Sequence, residues 1–167
     1  MKKKIVIPLI FLMSLFFFFL LQAKVDSISV HSREIVLDGK MFGEYGPWEL
    51  IKGKVYFSWD PANPMNQQIV DLDLAERNKQ GMVAGVSDLV VLKPANGSVP
   101  SELALVEVSN RGGKFTPSYF NRATDYQMSA DNPEWFGNGL TLRNGMTVIW
   151  VGWQFDVLKK GDNLTYD

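Results

Sequence analysis

Two turns, each following an apolar segment, contain the residues of this sequence that could do chemistry. The first is Asn110-Arg111-Gly112-Gly113, directly after the apolar run Leu103–Val108. Paired glycines let a backbone approach a ligand closely and direct its N–H groups at negative charge. These four residues are therefore candidates for an oxyanion loop. The alternative is an ordinary turn, which is the more frequent meaning of two adjacent glycines.

The second turn is Gly152-Trp153-Gln154-Phe155-Asp156, at the end of the apolar run 146–153. Enzymes built on parallel sheets place functional groups at the carboxyl ends of strands, so Trp153, Gln154 and Asp156 are candidates for lining a pocket. The alternative is a tryptophan packed at a strand end with an aspartate in the following turn. For Asp156 this alternative is favoured, because no nucleophile precedes it in the chain order that hydrolase triads use.

Several kinds of catalytic machinery are missing from the sequence. It has no cysteine, and its single histidine is His31, on a predicted exposed strand face. The nearest approach to G-x-S-x-G is Gly85-Val86-Ser87-Asp88-Leu89, which ends in leucine and lies inside a predicted strand. No Ser–His or Cys–His pair can be assembled, so we predict no catalytic residue in this chain.

Carboxylates are the remaining chemical resource. Asp71 and Asp73 lie two residues apart, so on a strand they share a face and could bind a divalent cation. Basic and amide residues follow closely, and we interpret the pair as a solvated strand face. A metal-dependent hydrolase that uses Asp71, Asp73 and Asp156 is the least favoured interpretation. We predict neither a metal site nor a cofactor.

Charge and composition exclude further classes of protein. The chain has 17 basic and 18 acidic residues and a net charge of −1, which gives no footprint for nucleic acid. Without cysteine there are no disulfides and no cysteine-ligated zinc or iron–sulfur cluster. Two segments, Asn96-Gly97-Ser98 and Asn163-Leu164-Thr165, match the glycosylation sequon.

The amino terminus has the pattern of an export signal. Lys2, Lys3 and Lys4 precede an apolar run of 17 residues from 5 to 21, and Ala23 offers a cleavage point. We predict that residues 1–23 are a secretory signal peptide cleaved near Ala23 and that the protein is periplasmic or extracellular. The alternative is an uncleaved membrane anchor, and contact with a membrane is expected only through this segment.

The remaining sequence, 24–167, suffices for one domain. Residues 24–100 are predicted to be a β-rich lead-in, and 101–167 a strand, an oxyanion-type loop, a helix and a second strand. Asn132 and Pro133 are expected to begin that helix, Asn144-Gly145 to end it, and Thr116-Pro117 to open a shorter one. This order predicts an α/β fold with a mostly parallel sheet. Residues Trp48–Trp59, with two apolar stretches around Lys52-Gly53-Lys54, are predicted to be either a hairpin or a bent strand. The other predicted strands are 27–37, 69–74, 82–92, Leu103–Val108 and 146–153.

Five sequence blocks follow one another between Gly43 and Val157. The blocks are Gly43-Glu44-Tyr45-Gly46-Pro47-Trp48-Glu49 with Gly53, Val55-Tyr56-Phe57 and Asp60-Pro61; Asn66 with Ile69-Val70-Asp71-Leu72-Asp73-Leu74-Ala75 and Arg77-Asn78; Asp88 with Leu92-Lys93-Pro94; Val108-Ser109-Asn110-Arg111-Gly112; and Val151-Gly152-Trp153-Gln154-Phe155-Asp156-Val157. In this order they resemble the amino-terminal region of a family of large exported bacterial proteins with α/β-hydrolase domains. Phe155 departs from the family pattern, which has a small residue there.

The resemblance implies the leading part of an incomplete α/β-hydrolase-like sheet. Asn110, Arg111, Gly112 and Gly113 would polarise the acyl oxygen of a small ester-like substrate, while the nucleophile and the histidine would lie downstream of Asp167. The chain alone is then expected to be inactive. The alternative is a small exported ligand- or carbohydrate-binding module. Its stacking residues would be Trp48, Tyr56, Trp59, Trp135 and Trp153, although core packing is the favoured role of these aromatics.

Overall fold

The computed structural model describes residues 24–166. The predicted signal peptide, residues 1–23, lies outside the described residues. Within the described range, none of the helices has the length and apolar character that crossing a membrane requires. The chain divides into two compact units, one of residues 26–56 with 85–166 and the other of residues 24–25 with 57–84.

Five strands form one sheet in the spatial order β1-β2-β3-β5-β4. The last two strands in the sequence are parallel neighbours, paired from Leu103↔Met146 to Val108↔Val151. The third and fifth strands are antiparallel, with Leu89 opposite Val151 and Leu92 opposite Val148. The strands are β1 Lys24–Ile35, β2 Trp48–Trp59, β3 Val83–Pro94, β4 Leu103–Val108 and β5 Met146–Val151.

The prediction of a mostly parallel, α/β-hydrolase-like sheet is wrong. The sheet is mixed and mostly antiparallel, and the chain has few helices. Apolar runs do not report strand direction: β3 and β5 are central strands that bury alternate residues, and they pair antiparallel. A parallel pair needs a long crossover, and β4 and β5 are joined by one that contains all the α-helices of the described residues.

An apolar run such as Leu103–Val108 is typical of a strand buried on both faces, and the structure contradicts that expectation. β4 lies at the sheet edge, where Leu103, Val106 and Val108 are more than half exposed. Leu105 packs against the core from the face opposite Val106 and Val108. The apolar composition of β4 therefore did not reveal its position at an edge.

The crossover contains three short helices, α1 Thr116–Asn121, α2 Pro133–Phe136 and α3 Leu140–Arg143. The predicted start at Asn132 is confirmed, because its side chain accepts a hydrogen bond from the Glu134 N–H at 3.0 Å. The single helix predicted after it is two helices. Gly137, at φ 52°, and Gly139, at φ 64°, take left-handed conformations that end one helix before the next begins.

The apolar core belongs to the larger unit and lies between one sheet face and the crossover. The rings of Trp135 and Trp150 lie 6.0 Å apart, and Trp135 meets Phe136 edge to face at 4.8 Å. Strands and helices thus share one packed layer of aromatic rings. The core residues are Val36, Phe42, Trp48, Leu50, Val90, Leu92, Ala130, Trp135, Phe136, Leu142, Val148, Trp150 and Leu164.

The smaller unit contains no strand at 69–74, contrary to expectation. This segment is a series of tight turns, in which the Leu72 N–H donates to Ile69 O and the Leu74 N–H to Asp71 O. Asp71 has a positive φ of 59°, which interrupts an extended strand. Leu72 is buried, but Val70 and Leu74 are largely exposed. Alternation alone therefore predicted the wrong local structure.

Candidate functional site

Parallel pairing brings the two sequence-predicted turns together. Because Val108 lies opposite Val151, residues 109–113 and 152–156 leave the sheet side by side at the carboxyl ends of β4 and β5. Two segments that are distant in sequence, with a separation of 43 positions between Arg111 and its partner Gln154, thus form one surface. We refer to residues 109–113 and 152–156 together as the strand-end site.

An ion pair joins the two halves of the strand-end site. Arg111 Nη1 lies 2.6 Å from Asp156 Oδ2, and Nη2 donates to the Asp156 carbonyl oxygen at 3.3 Å. Both side chains are 55 % exposed, so this pair is open to solvent. The hydrogen bond from Arg111 holds the pKa of the Asp156 carboxyl below its usual value.

The other two pocket candidates also contact the loop. Gln154 Oε1 accepts from the Arg111 backbone N–H at 2.6 Å, and Trp153 Nε1 donates to Ser109 O at 2.5 Å. The Trp153 side chain remains half exposed. Trp153, Gln154 and Asp156 therefore all hold the loop in place, a role that the sequence pattern did not indicate.

Two backbone N–H groups of the loop already donate hydrogen bonds within the chain. The Gly113 N–H donates to Asn110 O at 3.1 Å, and the Arg111 N–H is engaged with Gln154. Asn110 is exposed and Gly113 half-buried. The group of this loop best placed to meet a ligand is thus the exposed Arg111 guanidinium, which has donors beyond those bound to Asp156.

Gly112 is required for packing. Its φ is 74°, and a Cβ at this position would lie 2.6 Å from Leu164 O. Its carbonyl oxygen also accepts a hydrogen bond from the Leu164 N–H at 3.0 Å. Gly112 therefore admits the close approach of residues 163–164, which agrees with the structural interpretation of the motif.

Lys114, the residue after the paired glycines, was not singled out from the sequence. Its side chain is only 4 % exposed, and Nζ lies 3.0 Å from Asp162 Oδ2 and 2.5 Å from Asp162 O. Burial lowers the pKa of its ammonium group, which the Asp162 carboxylate offsets in part. Lys114 and Asp162 line an open cavity of about 200 Å³ that also contacts Gly112 and Tyr126. The position of Lys114 directly after the paired glycines was the one feature of the sequence that could have identified it as a site residue.

Glu107 supports the loop from inside β4. Its carboxylate accepts hydrogen bonds from the backbone N–H groups of Phe115 and Thr116, from the Thr116 hydroxyl and from Trp150 Nε1. A single acidic residue in an otherwise apolar run could have indicated this role. It ties the start of α1 to the sheet immediately after the loop.

Asp88 supports the opposite side of the strand-end site. Its Oδ2 accepts from the Thr165 N–H at 3.0 Å and from the Thr165 hydroxyl at 2.9 Å. Burial disfavours the charged form, but the bonds from Thr165 and Lys159 outweigh it and lower the pKa of this carboxyl. Asp88 thereby fastens residues 159–165 to β3.

Other sequence candidates lie apart from this arrangement. His31 is exposed on β1, while Asp71 and Asp73 belong to the smaller unit. Across residues 24–166, no three acidic or histidine side chains come together as a metal-binding group. Trp48 and Trp135 are fully buried, as expected for core packing, so they cannot stack on a ligand.

The strand-end site combines an exposed ion pair, a half-exposed indole ring and a loop held by hydrogen bonds. The similarity to exported hydrolases stays a prediction. No protein-family model, curated protein or solved structure matches this chain.

Proposed function

We propose that this chain is the amino-terminal portion of an exported ester-type hydrolase and supplies the side of the active site that faces the acyl oxygen. Its nucleophile and general base would come from residues outside this sequence. The observation that carries the proposal is the joining of residues 109–113 to residues 152–156 at the ends of two parallel strands.

The geometry favours Arg111 as the donor to the acyl oxygen. A preorganised positive donor stabilises the negative charge that develops on that oxygen during acyl transfer. Asp156 and Gln154 hold Arg111 through its guanidinium and its backbone N–H, so its position is set before a ligand arrives. The Arg111 and Gly113 backbone N–H groups are occupied and Gly112 is buried, which makes the exposed guanidinium a better candidate than the paired glycines.

The first test is an ester-hydrolysis assay on two proteins, the chain alone and a version extended by any coding sequence that continues past Asp167. Short-chain p-nitrophenyl esters are suitable substrates. We expect hydrolysis by the extended version and none by the chain alone. The proposal fails if the gene ends after Asp167 and the isolated chain melts cooperatively, or if the extended protein cleaves no ester.

A substitution of Arg111 tests the specific role. In the extended protein, Arg111→Ala should lower kcat/KM by about 100-fold, the usual effect of losing one oxyanion donor. Stability should fall by less than about 1 kcal/mol, because exposed ion pairs contribute little. Arg143→Ala is the matched control, since Arg143 is an exposed arginine before the opposite end of β5. An unchanged rate in Arg111→Ala would exclude Arg111 as the donor.

The exposed ring of Trp153 favours a second candidate function, a ligand- or carbohydrate-binding module without catalysis. Of the proposed stacking residues, Trp153 lies beside a charged pair, which is a suitable platform for a sugar. Ligand-dependent tryptophan fluorescence that disappears in Trp153→Phe would support this function. The absence of any response across a broad glycan panel would exclude it.

A further inference from the structure

We propose that Asn96 is a site of spontaneous deamidation, and that the fold protects the other two Asn-Gly pairs of the chain from the same reaction. The sequence contains Asn96-Gly97, Asn138-Gly139 and Asn144-Gly145. In each pair the glycine nitrogen has no neighbouring Cβ to shield it, so composition does not distinguish them. The three pairs differ in their environments in the folded chain.

The reaction needs no partner other than water. The backbone nitrogen of the glycine attacks Cγ of the asparagine, a new C–N bond closes a five-membered succinimide, and the Cγ–Nδ2 bond breaks. Ammonia leaves with the proton of the glycine nitrogen. Water then opens the ring at either carbonyl and yields aspartate or isoaspartate, so no electrons are transferred and the atoms balance.

Asn96 lies in a turn that leaves both reacting groups accessible. Asn96 and Gly97 are exposed, and a Cβ built on Gly97 would meet nothing within 4 Å. Among the described residues, neither the Asn96 side chain nor the Gly97 N–H forms a hydrogen bond. The side chain can therefore rotate onto the following nitrogen without breaking a contact.

The turn is nevertheless anchored on both sides. The Ala95 N–H and the Ser98 hydroxyl both donate to Pro47 O, at 2.9 and 3.0 Å, and the Ser98 N–H donates to Ala95 O at 3.0 Å. This anchoring keeps Asn96 and Gly97 at the tip of a short, solvated loop. Asn96 also borders an open cavity of about 330 Å³ that it shares with Lys93 and Ser101, so water reaches both carbonyls.

Asn138-Gly139 is held in an unreactive arrangement. The Gly139 N–H donates to Phe136 O at 3.0 Å, and Asn138 Oδ1 accepts from the Leu140 N–H at 3.0 Å. A Cβ on Gly139 would lie 2.7 Å from the Phe42 ring, so the segment is packed against the core. Attack by the Gly139 nitrogen would require local unfolding of this region.

Asn144-Gly145 is held in a similar way at the end of α3. The Gly145 N–H donates to Leu142 O at 3.0 Å, and Asn144 Nδ2 donates to Leu140 O at 2.7 Å. The Tyr45 ring covers Gly145 closely. Both the nucleophile and the leaving group are thus engaged in the folded chain.

The test is a time course of the full chain, produced in bacteria, at mildly alkaline pH, followed by peptide mapping with mass spectrometry. Deamidation adds about 1 Da and one negative charge to the peptide concerned. We expect the Asn96 peptide to convert at least about 10-fold faster than the other two in the folded protein, because hydrogen-bonded segments react only when they open. An enzymatic isoaspartate assay should label the same peptide.

Two controls separate the fold from the local sequence. In denaturant the three rates should converge to within about threefold, since protection by structure is then lost. The Asn96→Gln variant should fold normally and lose the fast phase. The proposal is overturned if Asn138 or Asn144 converts as fast as Asn96 in the folded chain, or if the preference for Asn96 is unchanged in denaturant.

Discussion

At the residue scale, Asp88 shows how one carboxylate can organise a site without touching a ligand. It accepts two hydrogen bonds from Thr165 and lies within 3.6 Å of Lys54 and 3.3 Å of Lys159. Residues 159–165, which it fastens to β3, include Asp162 and Leu164, the partners of Lys114 and Gly112. The strand-end site therefore depends on an aspartate in a different strand from those that form it.

The lowered pKa of Asp88 predicts the pH dependence of its contribution to stability. Asp88→Asn should reduce the free energy of unfolding by about 1–2 kcal/mol near neutral pH, since hydrogen bonds to a charged group are lost. A depressed folded-state pKa gives stability that is fully present above the unfolded value, about 3.9, and is lost as pH falls through the folded value. The difference between wild type and variant should therefore shrink in strong acid.

Urea unfolding at a series of pH values measures this effect. Asp131→Asn is the matched control, because Asp131 is exposed and outside the Asp88 cluster. A wild-type-minus-variant difference that stays constant into strong acid would contradict the assigned role of Asp88.

At the element scale, the break between α2 and α3 is a requirement of packing. Gly137 has φ 52°, and a Cβ on it would lie 2.2 Å from Asn121 O at the end of α1. Asn121 in turn accepts hydrogen bonds from the Asn138 N–H and, through Oδ1, from the Thr141 N–H and hydroxyl. The close approach of Gly137 to Asn121 joins all three helices.

Gly137→Ala should therefore lower the free energy of unfolding by more than the conformational penalty of placing alanine at a positive φ. We expect a loss of more than about 2 kcal/mol, because overpacking adds to the roughly 1–3 kcal/mol penalty of a sparsely populated backbone conformation with positive φ. Gly161→Ala isolates the conformational part, since Gly161 has φ 61° and open space around it. Denaturant melts of both variants make the comparison, and equal losses would exclude the packing explanation.

At the scale of the whole molecule, the two compact units differ in how much apolar surface they bury. The aromatic core belongs to the larger unit, whereas in the turns of the smaller unit Ile69, Val70 and Leu74 remain exposed around a buried Leu72. Segments with few buried apolar contacts open locally at low free energy. The smaller unit is thus expected to be the less stable part of the chain.

Hydrogen exchange followed by mass spectrometry tests this difference. Amides of residues 67–81 should exchange at least about 100-fold faster than those of β3 and β5, which open only with the core. Trypsin should cleave at Arg77 or Lys79 before it cleaves at Lys114. Similar protection in both units would show that they unfold as one.

Sequence patterns predicted β1, β3, β4 and β5, the cap at Asn132 and the positions of both candidate turns. The apolar stretches around Lys52-Gly53-Lys54 fitted a hairpin as well as the single strand β2. These features depend on local properties, namely apolar composition, hydrogen bonding by a short side chain and the conformational freedom of glycine. The same kind of local sequence pattern also predicted a mostly parallel sheet and a strand at 69–74, and both predictions were wrong. Apolar runs report burial without strand direction, and alternation does not exclude a series of turns.

The contacts of the candidate residues depend on tertiary structure and could not be predicted from local sequence. Nothing local in Arg111 or Asp156 indicates that they pair, because the contact exists only once β4 and β5 lie in parallel register. The burial of Lys114 against Asp162 follows from packing of distant segments in the same way. Long-range neighbours set solvation, charge and accessibility, and these properties decide the chemistry available to a side chain.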